Sequence, residues 1–147
     1  MMAMVISVTN AHRDYRIGRS AIIACVRRVL SVEGRKRADI SVVFVDDAFI
    51  RSINRRFLSR NAVTDVISFP LDGGRSMEGE LYVNLDSAKR QARQFGVRFG
   101  NEVSRLVIHG VLHLAGYDDR TRSAARRMKH EEDRHVSFLF PEKEKDT

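Results

Sequence analysis

The sequence predicts an α+β fold of mixed α/β layers, with about four strands in one sheet, about five helices and one helix buried at the centre. Three observations carry this reading. Four short stretches with strand character are interleaved with segments of helical period. The stretch "EVSRLVIHGVLHLA", Glu102 to Ala115, is apolar on nearly all sides after Arg105, which is the pattern of a helix enclosed by its own domain. The composition, 43% hydrophobic and 31% charged, is that of a globular chain. At 147 residues, a single domain over residues 1–147 with one core is expected.

Taken in order, "AMVISV" reads as the first strand. From about Ile17 to Val32, Ile22, Val26, Val29 and Leu30 recur at helical spacing, and Gly34 can end that helix in a left-handed turn. "ADISVVFV" is the second strand. Asp46 and Asp47 can cap the next helix, whose inward face would carry Ile50, Ile53 and Phe57. "TDVISF" is a third strand, closed by Pro70 and the turn "LDGG"; "GELYVNL" is a fourth. Asp86 is expected to cap a short basic helix, "SAKRQARQF", that Gly96 stops, and Asn101 to cap the central helix. Thr121 opens a last helix ending near Phe140, followed by the charged tail "PEKEKDT". Strand order is not readable from these patterns.

No apolar run reaches the ~18 residues of a membrane helix. The opening "MMAMVISVTNAHR" has no positive charge ahead of its apolar patch and no clear cleavage site, so a soluble cytoplasmic protein is expected. Cys25, the single cysteine, cannot form an internal disulfide and lies among Ile22, Ile23, Ala24 and Val26, where a buried, inert thiol is expected. The net charge is +7, carried by 21 Arg and 5 Lys. Arginine's planar fork suits phosphate and stacks on bases, which points toward nucleic acid. A solvated surface shaped by codon bias accounts for the charge equally well.

His109 and His113 stand four residues apart in the central helix, on one face and ~6 Å apart along its axis. That spacing lets two imidazoles meet one ion. Gly116 can end the helix, and Asp118 and Asp119 follow where a third ligand would be wanted. The alternative is a pair of core histidines bonded to backbone carbonyls. The position after the first histidine, where H-E-x-x-H peptidases carry their base, is Gly110, which argues against an ordinary peptidase. His12, His130 and His135 lack such a pattern and are expected at the surface.

Beyond the histidines, "HGVLHLAGYDD" closely resembles the H-G-x-L-H-L-x-G-Y-D-H signature of the YbeY family, bacterial rRNA maturation factors regarded as zinc-dependent endoribonucleases. "INRRFLSRNAVTDVISFP" and "GELYVNLDSAKRQA" are similar to further segments of that family, and Met128 falls where its last helix usually has methionine. The resemblance runs in order from about Val42 to Phe140. It implies one zinc ion on His109, His113 and, in place of the family's third histidine, Asp119. Aspartate binds zinc through oxygen, and this harder donor set should discriminate less against Mn²⁺. The family's usual arginine is replaced by Leu58; Arg60, or Arg55 and Arg56, stand near enough to serve the same phosphate. The family's aspartate in G-D-I is Glu80 here, which with Asp118 is a candidate general base.

The function implied is metal-dependent cleavage of single-stranded RNA near the 3′ end of 16S rRNA, with ribosomal RNA and the small ribosomal subunit as partners. Arg55, Arg56 and Arg60, with Lys89, Arg90 and Arg93, would hold the backbone. The chief rival is a non-enzymatic RNA-binding assembly factor with a structural metal. Structural zinc is normally closed by four protein ligands, and three are found, which favours an open site.

Overall fold

The computed structural model describes residues 3–71 and 76–141. Four strands, β1 (Ala3–Asn10), β2 (Arg37–Val45), β3 (Val66–Leu71) and β4 (Met77–Asn84), form one sheet in the order β1-β2-β4-β3. β1, β2 and β4 are parallel, and β3 returns antiparallel to β4 at the edge. The helices are α1 (Arg19–Val32), α2 (Asp47–Phe57), α3 (Leu85–Phe95), α4 (Phe99–Leu114) and α5 (Arg122–Leu139). The predicted α+β class with a four-stranded sheet and five helices is therefore observed. No helix among the described residues is long and apolar enough to cross a membrane. The predicted turn over Asp72–Gly74 and the tail after Pro141 lie outside the described residues.

Each sheet face has its own packing. The larger apolar cluster joins Ile22, Val26, Val29 and Leu30 of α1 to Ile40, Val42, Phe44, Leu81 and Val83 of the sheet, and to α4. Here Cys25 is 1% exposed, and burial raises its thiol pKa, as expected of an inert core cysteine. On the other face, α2 seals only a small cluster of Val45, Ile50, Ile53 and Ile67. Met128 of α5 is also core.

The buried helix is α4, whose Val103, Val107, Ile108, Val111 and Leu112 are fully buried. Glycines set its approach to the sheet. A Cβ on Gly110 would lie 2.8 Å from Leu81 Cδ2, and one on Gly79 would lie 2.6 Å from Leu114 Cδ1. Gly110 thus faces packed sheet, where an added Cβ would press on the end of the buried Leu81 side chain. Gly110→Ala should cost about 1–3 kcal/mol through overpacking, read as a lower urea midpoint at unchanged m-value.

Four sequence expectations are corrected. Asn84, not Asp86, caps α3, accepting from the Asp86 and Ser87 amides. Asp86 is turned instead toward His12 Nε2 (2.8 Å) and the Asp47 amide (3.0 Å). α4 begins at Phe99, ahead of Asn101, with no side-chain cap. Phe57 is 62% exposed, because the last turn of α2 overhangs the sheet edge instead of facing core. β3 runs through Pro70 to Leu71, since an edge strand tolerates a missing N–H. Asp46 and Thr121 cap α2 and α5 as expected, accepting from the Phe49 and Ala124 amides.

Candidate metal centre

The C-terminal turn of α4 builds one side of the site. Gly116 adopts φ +110°, and the Tyr117 and Gly116 amides bond back to the Leu112 and His113 carbonyls at 3.0 and 3.1 Å. This pair of bonds is the Schellman arrangement, which stops the helix and reverses the chain. It also aims the Tyr117 carbonyl at His113, whose Nδ1 lies 2.9 Å away. One turn earlier, His109 Nδ1 lies 2.8 Å from Glu132 Oε2 of α5. A carbonyl and a carboxylate only accept, so both imidazoles carry hydrogen on Nδ1 and, when neutral, a lone pair on Nε2. Neither Nε2 has a hydrogen-bond partner among the described residues. The rings stand edge to face with centroids 5.7 Å apart.

The facing wall is the loop after α2. Asn54, 1% exposed, donates from Nδ2 to the Ala62 carbonyl (2.9 Å) and Thr64 Oγ1 (3.3 Å), and its carbonyl accepts from the Arg60 amide. Fully buried Asn84 adds a bond from Nδ2 to the Thr64 carbonyl (3.1 Å). These two asparagines pin the loop so that Leu58, Arg60 and Asp65 face His109 and His113 across a cleft of about 490 Å³, which Asp119 also lines.

Of the sequence-predicted site residues, His109, His113, Asp119 and Arg60 share this cleft. His113 and Asp119 are exposed and His109 is half-buried, so the pair projects from the open end of α4, not from deep core as the oily run implies. Arg55 and Arg56 do not line the cleft. Arg55 donates to Asn61 Oδ1 (3.0 Å), and the Arg56 guanidinium lies 5.4 Å from the Phe57 ring. Arg90 is held by Asp47 in a two-bond ion pair at 2.9 Å, which depresses the Asp47 pKa. Neither candidate base lies here. Strand alternation turns Glu80 to the sheet face opposite α4, and Asp118 lines a separate hollow beside Arg127.

Two carboxylates that sequence reading missed are present instead. Asp65 lines the cleft and a second hollow behind His109; Glu132 lines that second hollow only. Burial lowers the His109 pKa, but the Glu132 hydrogen bond and charge outweigh it, and the net shift is upward. Arg105 lies 3.7 Å from Glu132 and 2.9 Å from Asp133, tying α4 to α5. The signal for Asp65 was its place in "TDV" beside the strand; no local signal marks Glu132.

The remaining histidines divide. His130 is exposed as expected, but His12 and His135 are buried. His12 Nδ1 accepts from the Asp14 and Tyr15 amides, and Nε2 donates to Asp86. His135 Nδ1 accepts from Arg28 Nε at 3.2 Å, while its buried Nε2 has no partner among the described residues.

Among the described residues, Glu33, Glu131 and His135 have donor atoms all within 4.8 Å of one another. Two guanidiniums already attend this group: Arg28 at His135 and Arg134 at Glu131, which oppose a cation. His109, His113 and Asp119 are more loosely disposed. Their donor chemistry nevertheless fits a divalent ion: two oriented imidazoles with Nε2 lone pairs, plus oxygen from an exposed loop carboxylate. An Nδ1–H bond to carboxylate or carbonyl is the usual outer support of a metal-bound histidine.

A family model described as "Endoribonuclease YbeY" matches residues 7–139. The Chlorobium luteolum protein named "Endoribonuclease YbeY" is 38% identical over 137 residues, covering 93% of this chain and 99% of the relative. A Chlorobium phaeovibrioides protein of the same name is 43% identical over 92% of this chain and 91% of its own. A solution structure of a Thermotoga maritima protein superposes with a TM-score of 0.67 at 24% identity, over 97% of this chain and 99% of that one.

Proposed function

The chain belongs to the YbeY family, and from that premise we propose that it is a metal-dependent endoribonuclease working as one domain over residues 1–147. The observation that carries this reading is the pair of imidazoles whose Nδ1 atoms are held by Glu132 and Tyr117. Their Nε2 atoms are left for an ion, at a cleft that also presents Asp119, Asp65 and Arg60.

His109, His113 and Asp119 would hold the ion, taken to be zinc, with the aspartate broadening the choice toward Mn²⁺. Bound there, such an ion would lower the pKa of water and polarise a phosphoryl oxygen. The chain's own groups complete the site. Arg60 supplies a guanidinium to a phosphate oxygen. Asp65 is the carboxylate proposed to take a proton from the attacking water. The substrate is single-stranded RNA near the 3′ end of 16S rRNA, in small-subunit maturation in the cytoplasm.

Cleavage of a single-stranded oligoribonucleotide by the purified protein, with and without chelator, tests this. Rate should fall at least about a hundredfold in excess chelator and return with added Zn²⁺ or Mn²⁺. Equal cleavage in chelator would sink the metallonuclease. Tight RNA binding with no cleavage under any metal would favour the assembly-factor rival.

A further inference from the structure

On the other side of β3 from the metal cleft lies an apolar recess of about 310 Å³ between α2 and strands β3 and β4. Four aromatic rings run along it. Phe57 meets Phe69 edge-on at 5.9 Å, Phe69 meets Tyr82 edge-on at 5.9 Å, and Phe49 stacks on Tyr82 at 6.1 Å. Phe49 and Phe57 are 46% and 62% exposed, unusual for rings so close to a core. Pro70 lines both the recess and the metal cleft, and consecutive Phe57 and Leu58 line one each. The two openings therefore adjoin across the edge strand. Arg51, Arg55 and Arg56 are exposed along α2 outside the recess.

We propose that this recess receives an unpaired nucleobase of the RNA strand whose phosphate lies in the adjoining cleft. The inference rests on the RNA-cleaving reading above and adds a binding subsite to it. Stacking on aromatic rings suits any base, because every base has a π face. Charge sorts the nucleotide's parts. Among the described residues, the one charged group lining the recess is Glu80, whose Oε2 accepts from the Tyr82 hydroxyl at 2.9 Å. A carboxylate repels phosphate but accepts from base N–H groups. The arginines stand outside, where backbone would run. Base inward and phosphate outward is the arrangement these charges favour, and continuity with the cleft favours RNA over a protein segment.

The test uses the full chain, a fluorescently labelled single-stranded RNA and anisotropy in chelator, so that binding is read without cleavage. Phe49→Ala and Phe57→Ala should each weaken binding about tenfold, and Phe57→Tyr should retain wild-type affinity because it keeps the ring. Both phenylalanines are substantially exposed, and circular dichroism checks that the variants fold. A scan of RNAs with one abasic position each should find a position that weakens wild-type binding but not that of the Phe49→Ala/Phe57→Ala double variant. Unchanged binding by the double variant, or no abasic position coupled to these rings, would overturn the proposal and leave the recess to a protein partner. Ring-dependent binding without metal-dependent cleavage would uphold the subsite while sinking the nuclease. Metal-dependent cleavage with ring-independent binding would do the reverse.

Discussion

His113→Ala should remove the bound ion and depress RNA cleavage beyond the 10–100-fold loss typical of an outer-shell partner. The substitution deletes one of two imidazoles and leaves a lone histidine with a flexible carboxylate. His113 is exposed at the end of α4, so its truncation opens no core cavity, and metal-free stability should stay within about 0.5 kcal/mol. The metal-dependent part behaves differently. An ion bound only by the folded state adds about 2.7 kcal/mol at a hundred times its dissociation constant, and that increment should vanish in the variant. Elemental analysis after dialysis, with melting curves at matched zinc concentrations, reads both. Full metal content in the variant would rule out this donor set.

Glu132→Gln should have the second largest effect, with a different signature. Glu132 touches no substrate; it is a positioning residue that fixes the His109 ring and tautomer through a 2.8 Å bond. Metal affinity well above neutral pH should fall roughly 10–100-fold. The pH dependence should also move. Burial disfavours the His109 imidazolium, but the Glu132 hydrogen bond and charge overcome it and raise the pKa. A proton therefore competes with the ion up to a higher pH than for an ordinary histidine. Without the carboxylate the hydrogen bond and charge of Glu132 are lost, the His109 pKa drops, and the pH below which metal affinity begins to fall should move lower. A purely structural role would weaken affinity without that shift. Dissociation constants measured from acid to mildly alkaline pH separate the two, and an unmoved onset of the acid weakening would refute the assignment.

Arg60 and Leu58 show where sequence reading reached its limit. Both belong to one short loop, and proximity in the chain allowed Arg55, Arg56 or Arg60 to serve the cleft. Only the hydrogen bonds of Asn54 to the loop decide that Arg60 faces it while Arg55 turns to Asn61. Glu80 is a different kind of miss. Strand alternation already separated it from Leu81, whose side chain packs against α4 at Gly110.

The chain alone determined its elements, the enclosed helix and the shared face of His109 and His113, because helical period and the turn at Gly116 are set by residues within a few positions of one another. Tertiary structure decided which charges meet. His109 finds Glu132 twenty-three residues on, His12 finds Asp86 seventy-four on and His135 finds Arg28 a hundred and seven back. A polar side chain is buried or exposed according to the partner that docks against it, and docking of α5 on α4, or of the β1–α1 segment on α3, is written in no local pattern.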